Sequence, residues 1–149
     1  MFLTDRKLER RISEIEGYRY REVTGLKSFA AAEDMQGAVN PKLPAFDGAD
    51  GQWTLQVGDT WKGRDRYVWL HKDIRIPAEW KGRNVVGIFD YGNTGAGKNS
   101  GFESMLYVNG EMYQGVDVNH KEVFFDDALC GQEVSLTFRL WSGLEGGGV

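Results

Sequence analysis

Residues 99–125 read NSGFESMLYVNGEMYQGVDVNHKEVFF, and the pair Asn109-Gly110 decides how they fold. A two-residue type I′ turn needs positive φ at both central positions, which asparagine and glycine tolerate best. Phe102, Ser104, Leu106 and Val108 lead into the turn, and Met112, Gln114 and Val116 lead out of it, so two short antiparallel strands are predicted. Immediately afterwards Asp117, Asn119, His120 and Glu122 crowd donors, acceptors and charge into a few residues. A purely structural strand does not require that density.

The same period-two pattern extends in both directions. Downstream, Glu122 to Phe125 predicts a strand, Cys130-Gly131 a turn, and EVSLTFRLW a last strand with Val134, Leu136, Phe138 and Leu140 inward. Upstream, RYVWLHKDIRIP places Tyr67, Trp69, His71, Asp73 and Arg75 on one face and Val68, Leu70, Lys72, Ile74 and Ile76 on the other, with Pro77 as the stop. Asn84 to Phe89 is an apolar run short enough for a fully buried strand. Trp53 to Val57, Phe29 to Glu33 and Tyr18 to Thr24 add further strands, although Ala30, Ala31 and Ala32 leave the second of these ambiguous with helix. Between them, residues 34–52 are rich in Gly, Pro, Asn and Asp and predict an irregular loop, expected to be disordered or packed on a neighbouring domain. At the start, Leu8, Ile12 and Ile15 fall at helical spacing, with Thr4 or Asp5 as cap and Gly17 placed for a left-handed stop. The charges of that helix, including Arg10 and Glu14, read as a solvated face.

The expected fold is therefore mainly β: a jelly-roll-type β-sandwich over residues 18–149, preceded by one short helix over residues 1–17. Composition agrees, because 20 glycines and a 13% aromatic share, without a low-complexity tract, imply strands joined by many tight turns. A chain of 149 residues can bury roughly two thirds of its unfolded surface and needs no disulfide or metal for stability. Cys130 is the single cysteine, which together with a start lacking an apolar leader predicts a cytoplasmic protein. No stretch approaches the length of a membrane span, and a net charge of −4 without a basic stripe argues against nucleic acid.

Two motifs resemble chemistry. Gly92-Asn93-Thr94-Gly95-Ala96-Gly97-Lys98-Asn99 is one residue from a phosphate-binding loop. Asn99 lacks the hydroxyl that would hold magnesium, and a strand follows where a helix is required, so a plain glycine-rich connection is preferred. The second motif is QGVDVNHKE, residues 114–122. It lacks the glycine and glutamate spacing of a calcium loop. His71 and His120 are the only histidines, so no zinc set can be completed without carboxylates. For His120 the preferred reading is a loop histidine hydrogen-bonded to Asp117 or Glu122.

The stretches WKGRDRYVWLHKDIRIPAEWKGR, NTGAGKNSGFESMLYVNGEMYQGVDVNHKEVFF and FRLWSGLEGGG resemble the N-terminal region of bacterial α-mannosidases of glycoside hydrolase family 38, from about Trp53 onward. The resemblance implies a galactose-binding-like jelly roll ahead of a catalytic domain that hydrolyses terminal α-mannosyl residues with retention, using zinc and carboxylates. That zinc belongs to the parent enzyme's later domain, and no cofactor is expected in this chain. His71-Lys72-Asp73 has the letters of the family's H-x-D pair but lies on the strand before Pro77, so no catalytic residue is carried over. The glycine-rich ending suggests an excised fragment. The leading expectation is a non-catalytic module that packs on the catalytic domain of the same polypeptide. Asp117, Asn119, His120, Glu122, Tyr113, Trp61 and Trp141 are its candidate rim or interface residues. The alternative is an independent carbohydrate-binding module for mannose-containing glycans, with Trp61, Tyr113, Trp141, Asp117 and His120 as a platform. A homo-oligomeric parent, in which exposed aromatics meet another subunit, is a third.

Overall fold

The computed structural model describes residues 2–92 and 102–144. Helix α1 (Phe2–Glu16) is followed by β1 (Ser28–Asp34), β2 (Gln52–Gln56), β3 (Tyr67–Arg75), β4 (Val85–Ile88), β5 (Glu103–Val108), β6 (Glu111–Val116), β7 (Glu122–Phe125) and β8 (Glu133–Trp141). The strands form a six-stranded sheet, ordered β2-β1-β3-β8-β5-β6, and a two-stranded sheet of β4 and β7, with every pairing antiparallel. The expected β-sandwich with one N-terminal helix is what the chain adopts.

The Asn109-Gly110 turn sets the register of β5 and β6. Its residues have φ of 51° and 86°, the positive pair a type I′ turn demands. Asn109 also binds across to β8: its backbone N–H donates to the Ser135 carbonyl at 2.9 Å, and its Oδ1 accepts from the Ser135 N–H at 2.9 Å. A register shift between Leu106 and Tyr107 breaks the simple alternation of the hairpin.

Between the sheets lies one apolar core. Val134, Leu136, Phe138 and Leu140 of β8 point into it, as their spacing predicts, and meet Val85, Val123 and Phe125 of the small sheet. Phe138 is completely buried and is ringed by Phe29, Phe89 and Tyr91, with centroids at 6.2, 4.7 and 5.6 Å. Gly87 has no room for a side chain: an added Cβ would meet the Phe89 and Phe125 rings at 2.6 and 2.9 Å.

Four expectations are corrected. Residues 18–24 form no strand; Tyr18 and Val23 are exposed, and the segment runs as an arm tied down by side chains. The β4 segment is buried on one side only, Ile88 being 51% exposed, because the outer face of the two-stranded sheet is met only in part, by the arm's bonds to Glu122. Helix α1 begins at Phe2, so Thr4 and Asp5 lie inside its first turn, and Gly17 does not take a left-handed conformation. The helix ends instead in tight bonds from the Tyr18 N–H to the Ile15 carbonyl and from the Arg19 N–H to the Glu16 carbonyl. Finally, the long loop after β1 packs on its own sheet: Phe46 stacks on His71 with ring centroids 4.7 Å apart and planes 11° apart. Gln52 clasps the loop by donating to the Ala45 carbonyl at 2.7 Å and accepting from the Gly48 N–H at 3.0 Å.

Candidate functional site

The polar exit of the hairpin is held together by Asp117. Its Oδ1 accepts from the Asn119 N–H at 2.7 Å, the His120 N–H at 2.8 Å and His120 Nδ1 at 3.0 Å. This is an Asx-type turn, in which a side chain takes the place of a backbone acceptor. Partial burial pushes the Asp117 carboxyl up, but the donors from Asn119 and His120 outweigh it and hold the pKa below the usual range. The His120 side chain itself stands 71% exposed. Glu122 belongs to a different group: it accepts from the Tyr20 hydroxyl and pairs with Arg19 at 2.5 Å, both from the arm that follows α1. Two residues along that arm, Glu22 pairs with Arg83 at 2.8 Å, and this bond holds its carboxyl below the usual range.

The aromatic candidates lie elsewhere. The Tyr113 hydroxyl donates to the Phe124 carbonyl at 2.8 Å and its ring leans on Phe125, so it ties β6 to β7. Trp61 packs half-buried against the core. Trp141 donates through Nε1 to Asp65 at 3.0 Å and stacks on Tyr67. No hydrogen bond, ion pair or ring contact among the described residues joins Trp61 or Trp141 to Tyr113 or to the Asp117–His120 turn. The Asp117–His120 turn, Glu122, Tyr113, Trp61 and Trp141 are thus each held by partners of their own.

Two polar assemblies escape the sequence reading. One lies on the outer face of the large sheet, where Asp34 and Arg139 form an ion pair with side chains only 8% and 12% exposed. Asp34 Oδ2 accepts from Arg139 Nε at 2.9 Å and Nη2 at 2.7 Å, while Oδ1 accepts from the Gln36 and Gly37 N–H groups at 3.1 Å each. The guanidinium lies over the Tyr67 ring at 4.4 Å and near the Trp69 ring at 5.6 Å. A charged residue in the middle of an alternating strand was the available signal, but its partner is 105 positions away. The second is a groove at the end of the small sheet, between the turn before β4 and the turn after β7. The Gly82 N–H joins the two turns by donating to both carboxylate oxygens of Asp127 at 3.0 and 3.1 Å. Arg83, Asn84 and Phe124 complete its walls.

No group of three or more His, Cys, Asp or Glu side chains among the described residues could hold a metal ion. The phosphate-loop look-alike lies, apart from Gly92, outside the described residues. Among those residues no helix is long and apolar enough to cross a membrane.

Residues 33–139 match the family described as alpha-mannosidase, jelly roll domain. The chain belongs to that family. The match starts near the end of β1, so α1 and the arm stand outside the span that defines this jelly roll domain. Among solved structures, a Faecalibacterium prausnitzii beta-glucuronidase is similar in fold, with a TM-score of 0.52 and 17% identity over 80% of this chain. The chain spans 22% of that enzyme's length, and the likeness bears on fold alone. No curated protein matches the chain. For this α-mannosidase jelly roll domain, the site chemistry thus rests on the side chains above.

Proposed function

We propose that the chain is a non-catalytic, N-terminal module of a cytoplasmic α-mannosidase, packed on a zinc-dependent catalytic domain of the same polypeptide and bordering its substrate cleft. The family match over residues 33–139 carries this reading. The state of the best-placed carboxylates supports it. Asp117 Oδ1 is engaged by the turn donors from Asn119 and His120, and Glu122 is paired with Arg19 and Tyr20. Neither is poised as the acid or nucleophile of a glycosidase, which needs two carboxyl groups at a defined separation. The purified chain, incubated with an aryl α-mannoside with and without added zinc, is expected to release no aryl alcohol above the buffer rate. Zinc-stimulated turnover lost on Asp117→Ala or His120→Ala would overturn the reading.

The packing role is supported by α1. Leu8, Ile12 and Ile15 are 49–68% exposed along one side of a helix that lies outside the family span. A 15-residue helix is marginal in water without an apolar face to bury. In this reading the remainder of the α-mannosidase covers that face. Ile12→Asp is then expected to change the melting temperature of the isolated chain little, within about 0.5 kcal/mol as for surface sites. In the parent enzyme the same change should loosen the module, seen as faster proteolysis after the arm. Equal, large destabilisation of the isolated chain would show that α1 is covered from within.

A further inference from the structure

The arm that joins α1 to β1 is fastened at two points to the sheet of β4 and β7. At one end of that sheet, where Ile88 pairs with Glu122, the Glu122 carboxylate takes the Tyr20 hydroxyl and the Arg19 guanidinium, the latter at 2.5 Å. At the other end, just before the pair Val85 and Phe125, Arg83 Nη1 meets the Glu22 carboxylate at 2.8 Å. The Trp80 ring N–H donates to the same carboxylate. Two carboxylate clasps thus stretch the arm between the two ends of the small sheet.

Little else holds it. Among the described residues, 20–24 make no backbone hydrogen bond to β4 or β7. Tyr18 and Val23 are exposed, and packing on the core resumes only at Leu26. The next residue is fixed to the large sheet, because the Lys27 carbonyl accepts from the Val57 N–H at 3.0 Å. Between the clasps and this fixed point stands Gly25. An added Cβ there would meet nothing within 4 Å, and its φ is not positive, so neither crowding nor a left-handed turn calls for glycine. What glycine supplies is a freely rotating joint. Glu22, by contrast, has φ of 55°, a left-handed conformation unfavourable to a residue with a side chain. Such a conformation persists only where its surroundings impose it, and its bonds to Arg83 and Trp80 do so here. Release of that clasp and relaxation of the Glu22 backbone therefore go together.

The chemistry of the clasps decides how the attachment responds. Arg19, Glu22 and Arg83 have side chains 53–59% exposed, and Glu122 is 28% exposed. Exposed ion pairs of this kind are weak and are screened by salt, whereas apolar packing is not. The arm therefore belongs to the low-stability end of the molecule. We propose that residues 17–25 are an ionic strap, which opens as a unit about Gly25 when its two clasps are screened, releasing α1 while the sandwich stays folded. The strap is a property of this chain alone and does not rest on what covers α1 in a parent enzyme.

The test is timed trypsin digestion of the chain at low and high NaCl, about 0.01 M and about 1 M, between which the screening length falls from about 30 to about 3 Å. A reference peptide in each tube corrects for the response of trypsin itself. Cleavage after Arg19 requires that side chain to leave Glu122, so its rate follows the open population when reclosing outpaces cleavage. The corrected rate after Arg19 and Arg21 should rise about three- to tenfold at high salt. Glu122→Gln and Glu22→Gln should each raise it severalfold at low salt and shrink the salt response, with the urea midpoint of the sandwich unchanged. Equal corrected rates at the two salt concentrations, or no acceleration in either variant, would overturn the proposal. So would acceleration matched by an equal loss of urea stability, since the arm would then open only with the whole fold.

Discussion

Arg139→Ala is expected to destabilise the sandwich by about 3–5 kcal/mol, because it strands a buried carboxylate without its counter-charge. Against a typical domain stability of about 5–15 kcal/mol, that loss is large enough to show as a clear drop in the denaturation midpoint. The geometry makes the pair more than a surface contact. Asp34 receives two N–H groups from Arg139 and two from the backbone at the start of the long loop, and the guanidinium is covered by the Tyr67 and Trp69 rings. Removing the arginine thus leaves Asp34 underbonded and uncovers Trp69, which is only 3% exposed in the native fold. The pair also predicts an acid response. Burial pushes the Asp34 carboxyl up, but the Arg139, Gly37 and Gln36 donors more than offset this, so the folded pKa lies below the ordinary aspartate value. A depressed folded pKa contributes stability that is present above the unfolded value and is lost as pH falls through the folded one. Urea midpoints should therefore decline below about pH 4, and Asp34→Asn should flatten that decline while lowering the midpoint at neutral pH. A full-size acid slope in Asp34→Asn would assign the effect to other carboxylates.

Phe138→Ala should cost about 3–5 kcal/mol by a different route, the opening of a cavity in the core. Phe138 is fully buried and touches three other rings, one from the β1 side and two from the segment around β4. Its loss removes the side chain that joins the large sheet to the elements opposite. The neighbours are themselves aromatic and poorly able to collapse into the space, so the upper part of the range is expected. Phe138→Leu retains most of the volume and should cost less than half as much. Chemical denaturation of the three proteins side by side would check this, and equal midpoints for Phe138→Ala and the native chain would refute it.

The contrast between these residues explains what the sequence discloses. Phe138 was legible as core, because inward residues recur at every second position of EVSLTFRLW and no other local pattern competes. Asn109-Gly110 was legible for a similar reason: the backbone conformation it requires is unavailable to most residues. Arg139 shares that strand, and its outward direction was readable, but its burial was not. That depends on Asp34 and on a loop whose Gly-, Pro- and Asp-rich composition signals irregularity without saying where it lies. The strand expected at residues 18–24 failed because alternation specifies two faces and not a partner; Tyr20 and Glu22 bond to side chains instead. The groove was illegible for a related reason, since its two walls are 45 residues apart in sequence and are joined by the Gly82 N–H. The grouping of Trp61, Tyr113, Trp141, Asp117 and His120 into one platform rested on residue type, which does not carry position.

The placement of β8 has a consequence for how the chain is made. It is the last strand of the sandwich to be synthesised, yet it sits between β3 and β5 and, among the described strands, is the only link between β2-β1-β3 and β5-β6. Until residue 141 clears the ribosome, the growing polypeptide lacks the strand that joins β2-β1-β3 to β5-β6. This domain therefore cannot fold progressively from its amino end. Its assembly waits on its final strand, and during that interval the half-sheets are open to mispairing with other nascent chains or to capture by chaperones.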